Sequence, residues 1–383
     1  MPEFLELLET IRSEEADVQR LFGDAGQGVR HVQRRAQYSQ RLLEAAKLIA
    51  DVFEGRKHPM VLREAMTTSD FPYLFGDILD RQLLANYREW PSVWRTYARQ
   101  AIVNDFRTVN RFAVGGGEAV LEEVPEQSAY PMAALSESRY QYAVKKYGRR
   151  IPLSWEALIN DDLDALKDIP QRFGRAARRS EDKFATQLHV DANGPHASVY
   201  TGGNKNIVTG NPALSIAGLQ TGYQVLAAML DSDGEPIMID GVILEVPPAL
   251  EITARNILNA TQLYVGAAGD NQLVTINWMK ERTTLVVNPY IPLVATVADG
   301  NTCWFLHASP SSGNPAFEIG LLRGHAEPEI FMKSPNAQRV GGGIVSPLDG
   351  DFDSDSVEYK VRHVFGGTVL DPKMTVASEG DGN

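Results

Sequence analysis

The chain has 383 residues, of which 43% are hydrophobic and 22% charged, and a net charge of −12. That composition excludes disorder along the whole chain and leaves room for two or three domains. The negative balance excludes a protein whose main task is gripping nucleic acid by its phosphates, because that affinity comes from Lys and Arg.

The elements follow in chain order. Phe4, Leu7, Leu8 and Ile11, continued by Val18, Leu21 and Phe22, predict an amphipathic helix that Gly23, Gly26 and Gly28 interrupt. A second stripe, Tyr38, Leu42, Ala45, Ala46, Ile49 and Phe53, predicts another helix that Gly55 and Pro59 end. A third is expected from about Asp70 to Arg88, with Phe71, Leu74, Phe75, Ile78 and Leu79 inward, and a short one begins near Trp90-Pro91.

The period then changes from 3.6 to 2. Val109, Arg111 and Ala113 alternate with Asn110 and Phe112, Gly115-Gly116-Gly117 reads as a turn or tip, and Arg139 to Val144 alternates again. Both faces of this ribbon carry polar residues. A two-stranded ribbon is marginal alone in water, so it is expected to pack on something else, such as a neighbouring subunit.

After Trp155 and the run Glu156 to Asp162, a long helix is expected from about Leu163 to Val190, with Pro170 at a fresh helical start. Phe173, Ala177, Phe184 and Leu188 form its apolar stripe, and Arg172, Arg175, Arg178, Arg179 and Lys183 the opposite face. That basic run reads first as a solvated or salt-bridged face; a contact with acidic neighbours or nucleic acid is the sharper reading.

Further on, the sequence predicts a helix through Leu219, Tyr223, Leu226, Ala227 and Leu230, a strand at Val242–Val246, and a helix opened by Pro247-Pro248. More strands are expected at Leu285–Val287 and Trp304–His307. The cleanest alternation comes last: Val357, Tyr359, Val361, His363 and Phe365 face one way, and Glu358, Lys360, Arg362 and Val364 the other. Alternating helices and strands make this part an α/β or α+β domain.

No chemistry stands out. There is no phosphate loop and no nucleophile elbow, and Gly341-Gly342-Gly343 is followed by neither Lys nor a helix. His189 and His196 lack a His-Glu-x-x-His context and read as ordinary surface or packed histidines. Asp349 to Asp355 opens like a calcium loop, but its sixth position is Ser354 and its twelfth is Lys360. No catalytic residue, cofactor or metal is expected. The single cysteine, Cys303, permits no intrachain disulfide and fits a reducing cytoplasm. No signal peptide is read at the N-terminus, and the longest uncharged stretch, Asn211 to Leu230, is too polar for a membrane span.

The order of these stretches resembles the major capsid proteins of tailed bacteriophages, with the Hong Kong ninety-seven-type fold. The resemblance covers roughly residues 65–378. It rests on Ala65 to Phe71 leading in; on the ribbon Phe106–Tyr147, with Glu123-Val124-Pro125-Glu126 at its return; and on Pro152-Leu153-Ser154 and Leu158 to Asp162 before the long helix. It continues through Leu244 to Glu251, Trp304 to Ile330, and Lys360-Val361-Arg362, Gly366-Gly367 and Asp371-Pro372-Lys373.

The resemblance implies an α+β phage major capsid fold: an N-terminal helical region and arm (1–104), an extended β-hairpin loop (105–147), a peripheral domain with a long spine helix (148–212 and 345–383), and an α/β axial domain (213–344). It implies a structural, non-enzymatic protein that self-assembles into the icosahedral shell of the virion around double-stranded DNA. Assembly would take place in the host cytoplasm.

The implied partners are copies of itself in hexamers and pentamers, a portal, and scaffold or cement proteins. Contact with packaged DNA would be weak and non-specific, and no membrane is involved. The expected inter-subunit contact residues are Val120, Leu121, Val124, Tyr130 and Met132 of the ribbon and Arg172, Arg175 and Arg179 of the spine helix.

In cross-linked members a loop lysine joins a neighbour's asparagine. Here no lysine lies between Thr108 and Ala143, and Lys145 and Lys146 sit at the ribbon's base. The first ~65 residues have no clear counterpart in the family. The alternatives are a nanocompartment shell of the same fold, which would hold enzyme cargo in place of DNA, and an α/β hydrolase built on 213–330, which a turnover assay would reveal.

Overall fold

The computed structural model describes residues 29–53, 56–58, 61, 65, 71–115, 124, 136–154, 163–231, 234–265, 273–311, 315–333 and 356–381. The expected first helix, the run 155–162, the glycines 341–343, the acidic turn 349–355 and the ribbon residues Val120, Leu121, Tyr130 and Met132 lie outside them.

In chain order the main elements are α1 (Val29–Phe53), α2 (Phe71–Glu89), β1 (Ala98–Val103), β2 (Val109–Gly115), β3 (Ser136–Tyr142), β4 (Lys145–Ser154) and α3 (Leu163–Thr186). Then come α4 (Ile216–Ala227), β5 (Val242–Val246), α5 (Glu251–Asn259), β6 (Thr283–Val287), β7 (Trp304–Ala308), β8 (Phe317–Leu322), β9 (Glu329–Met332), β10 (Ser356–Val369) and β11 (Thr375–Ser378).

The chain divides into two compact units. The first contains Met1–Trp90, Lys146–Arg178 and Glu327–Val364. Its core follows from helical periodicity. Leu42, Ala45, Ala46, Ile49 and Val52 recur every three to four residues on α1, and Leu74, Ile78, Leu79 and Leu83 do so on α2. They close on Ile169 and Phe173 of α3 and on Val357, Tyr359 and Val361 of β10. Each Leu, Ile, Val or Phe among them contributes about 1.5–3 kcal/mol by leaving water.

Gly174 lets α3 approach α2 closely, since a Cβ there would stand 2.9 Å from the Leu83 carbonyl oxygen. Strand β9 pairs antiparallel with β10, Glu329 opposite Arg362 and Met332 opposite Tyr359. The Asp80 carboxylate on α2 accepts the Ile330 backbone N–H at 3.1 Å and ties β9 to that helix.

Two readings of α3 change. Pro170 does not start a fresh helix; it is buried inside one continuous helix. Its ring removes one backbone donor, yet Ile169 and Phe173 flank it in the same core and hold both halves in line. Arg178 does not belong to the solvated face. It is only 3% exposed, its Cζ lies 3.9 Å from the Tyr87 ring centroid, and it donates to the Tyr87 carbonyl at 3.1 Å. The buried stripe of α3 is wider than its apolar letters, and a long arginine stem can line it.

The second unit contains Pro91–Lys145, Arg179–Ala326 and Phe365–Asn383. One four-stranded sheet runs in the order β6-β5-β7-β11. Strand β6 is parallel to β5, whereas β7 is antiparallel to both β5 and β11. Strands β5 and β7 are buried along their whole length, which explains why their lettering is apolar except at Glu245 and His307.

Helices α4 and α5 cover this sheet through Leu219, Leu226, Ala254 and Leu258, which meet Leu244, Trp304, Leu306 and Val376. The Ser215 hydroxyl accepts the Gly218 N–H at 3.0 Å and caps α4. This helix stops at Ala227, short of the expected Leu230, which forms an isolated bridge with Pro236. Elsewhere in this unit β1 runs parallel to β8, Ala98 opposite Phe317 and Val103 opposite Leu322. Strand β8 also pairs with the C-terminal end of β10, Phe317 opposite Val369. Strands β1 and β4 have no counterpart in the sequence reading.

Candidate assembly surface

The ribbon is an antiparallel pair of β2 and β3, from Val109 opposite Tyr142 to Gly115 opposite Ser136. Among the described residues it pairs with no other strand. Its alternation puts Phe112 at 60% exposure and leaves Asn110, Arg139 and Gln141 in solvent, while Tyr142 is buried. Ile102 at the end of β1 and Phe106 in the following loop are exposed at 63% and 55%. Of the expected contact residues, Val124 alone on the ribbon is described, and it is half-buried.

The ribbon's root is fixed electrostatically. Glu318, on β8, is fully buried. Arg99, its neighbour on β1, donates to Glu318 Oε2 at 3.1 Å through Nε and at 2.5 Å through a second nitrogen. Arg111, on β2, donates to Oε1 at 2.7 Å, and the Tyr142 hydroxyl, on β3, donates to the same oxygen at 2.6 Å. Burial by itself would raise the Glu318 carboxyl. The bonds from Tyr142, Arg99 and Arg111 outweigh it and hold the group below the usual carboxylate range.

Burial, helped by the same contact, pushes the Tyr142 phenol well above its ordinary value. Gly320 makes room for it: a Cβ there would stand 2.6 Å from the Tyr142 hydroxyl. Sequence reasoning missed this anchor, because its members come from four strands and only the fold brings them together.

On α3, Arg172 and Arg179 are exposed, as is Lys183, and Arg175 is half-buried. Arg175 Nε donates to the Gln171 carbonyl at 3.4 Å. Beyond Arg178 the helix carries two acids that the reading passed over. In the second unit Glu181 accepts the Trp94 indole N–H at 3.0 Å, and Asp182 accepts the Val93 backbone N–H at 3.0 Å.

One polar cluster lies inside the second unit. Glu245 on β5, His307 on β7 and His189 just beyond α3 are all fully buried. His307 Nε2 is 2.7 Å from Glu245 Oε2, and His189 Nε2 is 3.0 Å from the same oxygen. Asn288 donates to Glu245 Oε1 at 2.6 Å, and His307 Nδ1 meets the Thr375 hydroxyl at 2.8 Å. Burial acts to raise Glu245, but the two histidines outweigh it and hold its carboxyl far below the usual range. No substrate can reach side chains buried this completely, so the cluster does not support the hydrolase reading. Nothing in the spacing of three residues so far apart in sequence announces it.

Mixed helix and sheet, a ribbon that pairs with no third strand among the described residues, and a long helix with a cationic flank characterise the fold. A family model described as phage capsid protein matches residues 138–378. This chain belongs to that phage capsid protein family and is a structural protein of the capsid shell.

Among solved structures it is similar to one from Microbacterium phage Oxtober96, at 9% identity and a TM-score of 0.45, covering 73% of this chain and 86% of that one. It is similar to the capsid of an empty GTA particle, at 12% identity and 0.47, covering 75% and 88%. A virus-like particle from Pyrococcus furiosus follows at 10% and 0.41, covering 79% and 99%. At these identities and scores the likeness is descriptive, and the family match carries the assignment. No curated protein matches the chain.

Proposed function

We propose that copies of this chain close into an icosahedral shell of hexamers and pentamers around double-stranded DNA, and that the ribbon is the strap each copy lays on its neighbour. The observation that carries the reading is the β2–β3 pair itself: rooted by Glu318, paired with no third strand among the described residues, and presenting Phe112 to water. An isolated two-stranded sheet needs a partner surface, and in a lattice that surface repeats at every subunit. Exposed Met238, Ile252, Ile276, Leu293 and Val297 in the second unit add apolar area for further contacts.

The division into arm (1–104), extended loop (105–147), peripheral domain (148–212 and 345–383) and axial domain (213–344) belongs to the same proposal. So do the contacts through Val120, Leu121, Val124, Tyr130, Met132, Arg172, Arg175 and Arg179. A portal, scaffold or cement proteins and weakly held DNA are the further partners. The shell is non-enzymatic, is assembled in the host cytoplasm and involves no membrane.

Deleting Ala113 to Leu135 tests the strap. The variant is expected to keep a cooperative thermal melt and to form no shells under the electron microscope. Intact shells, or loss of the cooperative melt, would each overturn the assignment. Wild-type particles filled with protein cargo instead of DNA would favour a nanocompartment.

A further inference from the structure

We propose that His189, Glu245 and His307 bind a structural divalent transition-metal ion of the zinc class. The ligand atoms of the three residues lie within 4.8 Å of one another and all three side chains are buried. Both Nε2 atoms converge on Glu245 Oε2, at 2.7 Å from His307 and 3.0 Å from His189. The His189 contact is not aligned as a hydrogen bond, and neither ring nitrogen of His189 has a hydrogen-bond partner. A buried polar group left this way destabilises the fold. A metal on Nε2 gives the ring a use for its lone pair.

The groups behind the ligands fit the same purpose. Metal-binding imidazoles and carboxylates are oriented by hydrogen bonds to their outer atoms. His307 Nδ1 meets the Thr375 hydroxyl at 2.8 Å, which in turn meets the Tyr200 hydroxyl at 2.8 Å. Glu245 Oε1, the oxygen turned away from the histidines, takes the Asn288 amide at 2.6 Å, and that amide also reaches the Thr186 hydroxyl at 2.8 Å.

Two imidazoles and one carboxylate suit zinc-class ions and disfavour calcium and magnesium, which take oxygen. With a water as fourth ligand the ion is tetrahedral; its ligands stand about 3.3 Å apart, so the two contacts would open by roughly 0.3–0.6 Å. Such an ion would join the end of α3 to β5 and β7 and, through Thr375, to β11. These elements come from separate stretches of chain, so the metal would act as an internal staple.

The test uses the full-length chain, unfolded and refolded either in EDTA or with equimolar Zn2+ or Co2+. Metal analysis after gel filtration is expected to find about one ion per chain. The Co2+ form is expected to show the visible absorption of a tetrahedral ion, and the Zn2+ form to melt at a higher temperature than the EDTA form. His189→Gln and His307→Gln should each abolish the Co2+ absorption while the far-ultraviolet circular dichroism is kept. If a variant does not fold, the wild-type spectrum decides alone. Wild-type protein that retains no Zn2+ and shows no Co2+ band overturns the proposal, leaving the cluster a hydrogen-bonded network. An undiminished band in both variants overturns the location. Shell formation is read separately by microscopy, so a metal-free protein that still assembles leaves the capsid reading untouched.

Discussion

Replacing Glu318 by Gln removes the charge on which Arg99 and Arg111 converge, while Tyr142 keeps an acceptor. Breaking a buried pair costs about 3–5 kcal/mol, but both arginines are partly exposed and can turn to water. The expected loss is therefore about 1–3 kcal/mol, measured by urea denaturation. Its pH dependence has a definite sign. The folded Glu318 carboxyl lies below its ordinary value, so its contribution is present above the unfolded carboxylate value and is lost as pH falls through the folded one. The stability difference between wild type and Glu318→Gln should stay constant near neutrality and shrink below about pH 4. Gly320→Ala should act on the same anchor by pushing the Tyr142 hydroxyl off Glu318. Faster hydrogen exchange in β2 and β3, with the rest of the second unit unchanged, would be its mark. Unchanged exchange there would show that the ring finds another way to the carboxylate.

At the scale of elements, α3 carries the sharpest test. If its cationic face docks on acids of a neighbouring copy, Arg175→Glu should leave the melt intact and stop shell formation. Normal shells that retain less DNA would assign the face to nucleic acid instead. Leu83→Ala on α2, within the first core, should cost about 2–5 kcal/mol in urea denaturation. Elements whose residues obey one period were legible in advance. Helices α1 and α2, strand β5 and the alternating part of β10 lie where the apolar spacing put them. Strand β4 was not legible, because Lys145, Lys146, Arg149 and Arg150 make no pattern and its pairing with β10 supplies the order. Strand β1 hid for the same reason beside β8. Arg178 misled because the letter R reads as solvent, whereas a guanidinium laid over the Tyr87 ring and bonded to its carbonyl is held inside. The Glu318 anchor and the His189–Glu245–His307 cluster depend on tertiary register, and no local pattern encodes them.

For the whole molecule, the expectation is a shell held without covalent links. The region between Thr108 and Ala143 offers no lysine, and Cys303 is buried, with burial pushing its thiol well above the ordinary value. Particles boiled in detergent without reductant should run as one band at the mass of a single chain; a ladder would overturn the idea. With a net charge of −12, any hold on DNA should be weak, with a shallow salt dependence that reflects few phosphate contacts.

Strand β11 also sets a timetable. It seals the edge of β7, Trp304 opposite Ser378 and His307 opposite Thr375, and its Ala377 N–H and carbonyl are taken by Asn206 and Val208. During synthesis β7 emerges long before its partner does. Until residue 378 is made, the edge of a buried sheet stands open, with Trp304 and Leu306 beside it. Open edges of this kind invite pairing with other chains, and chains still on the ribosome are at their most vulnerable then. A chain halted at Leu370 should therefore collect in aggregates, and adding back residues through Ser378 should restore soluble protein. Covering β7 therefore waits on residues 375–378, however early the rest of that sheet is made.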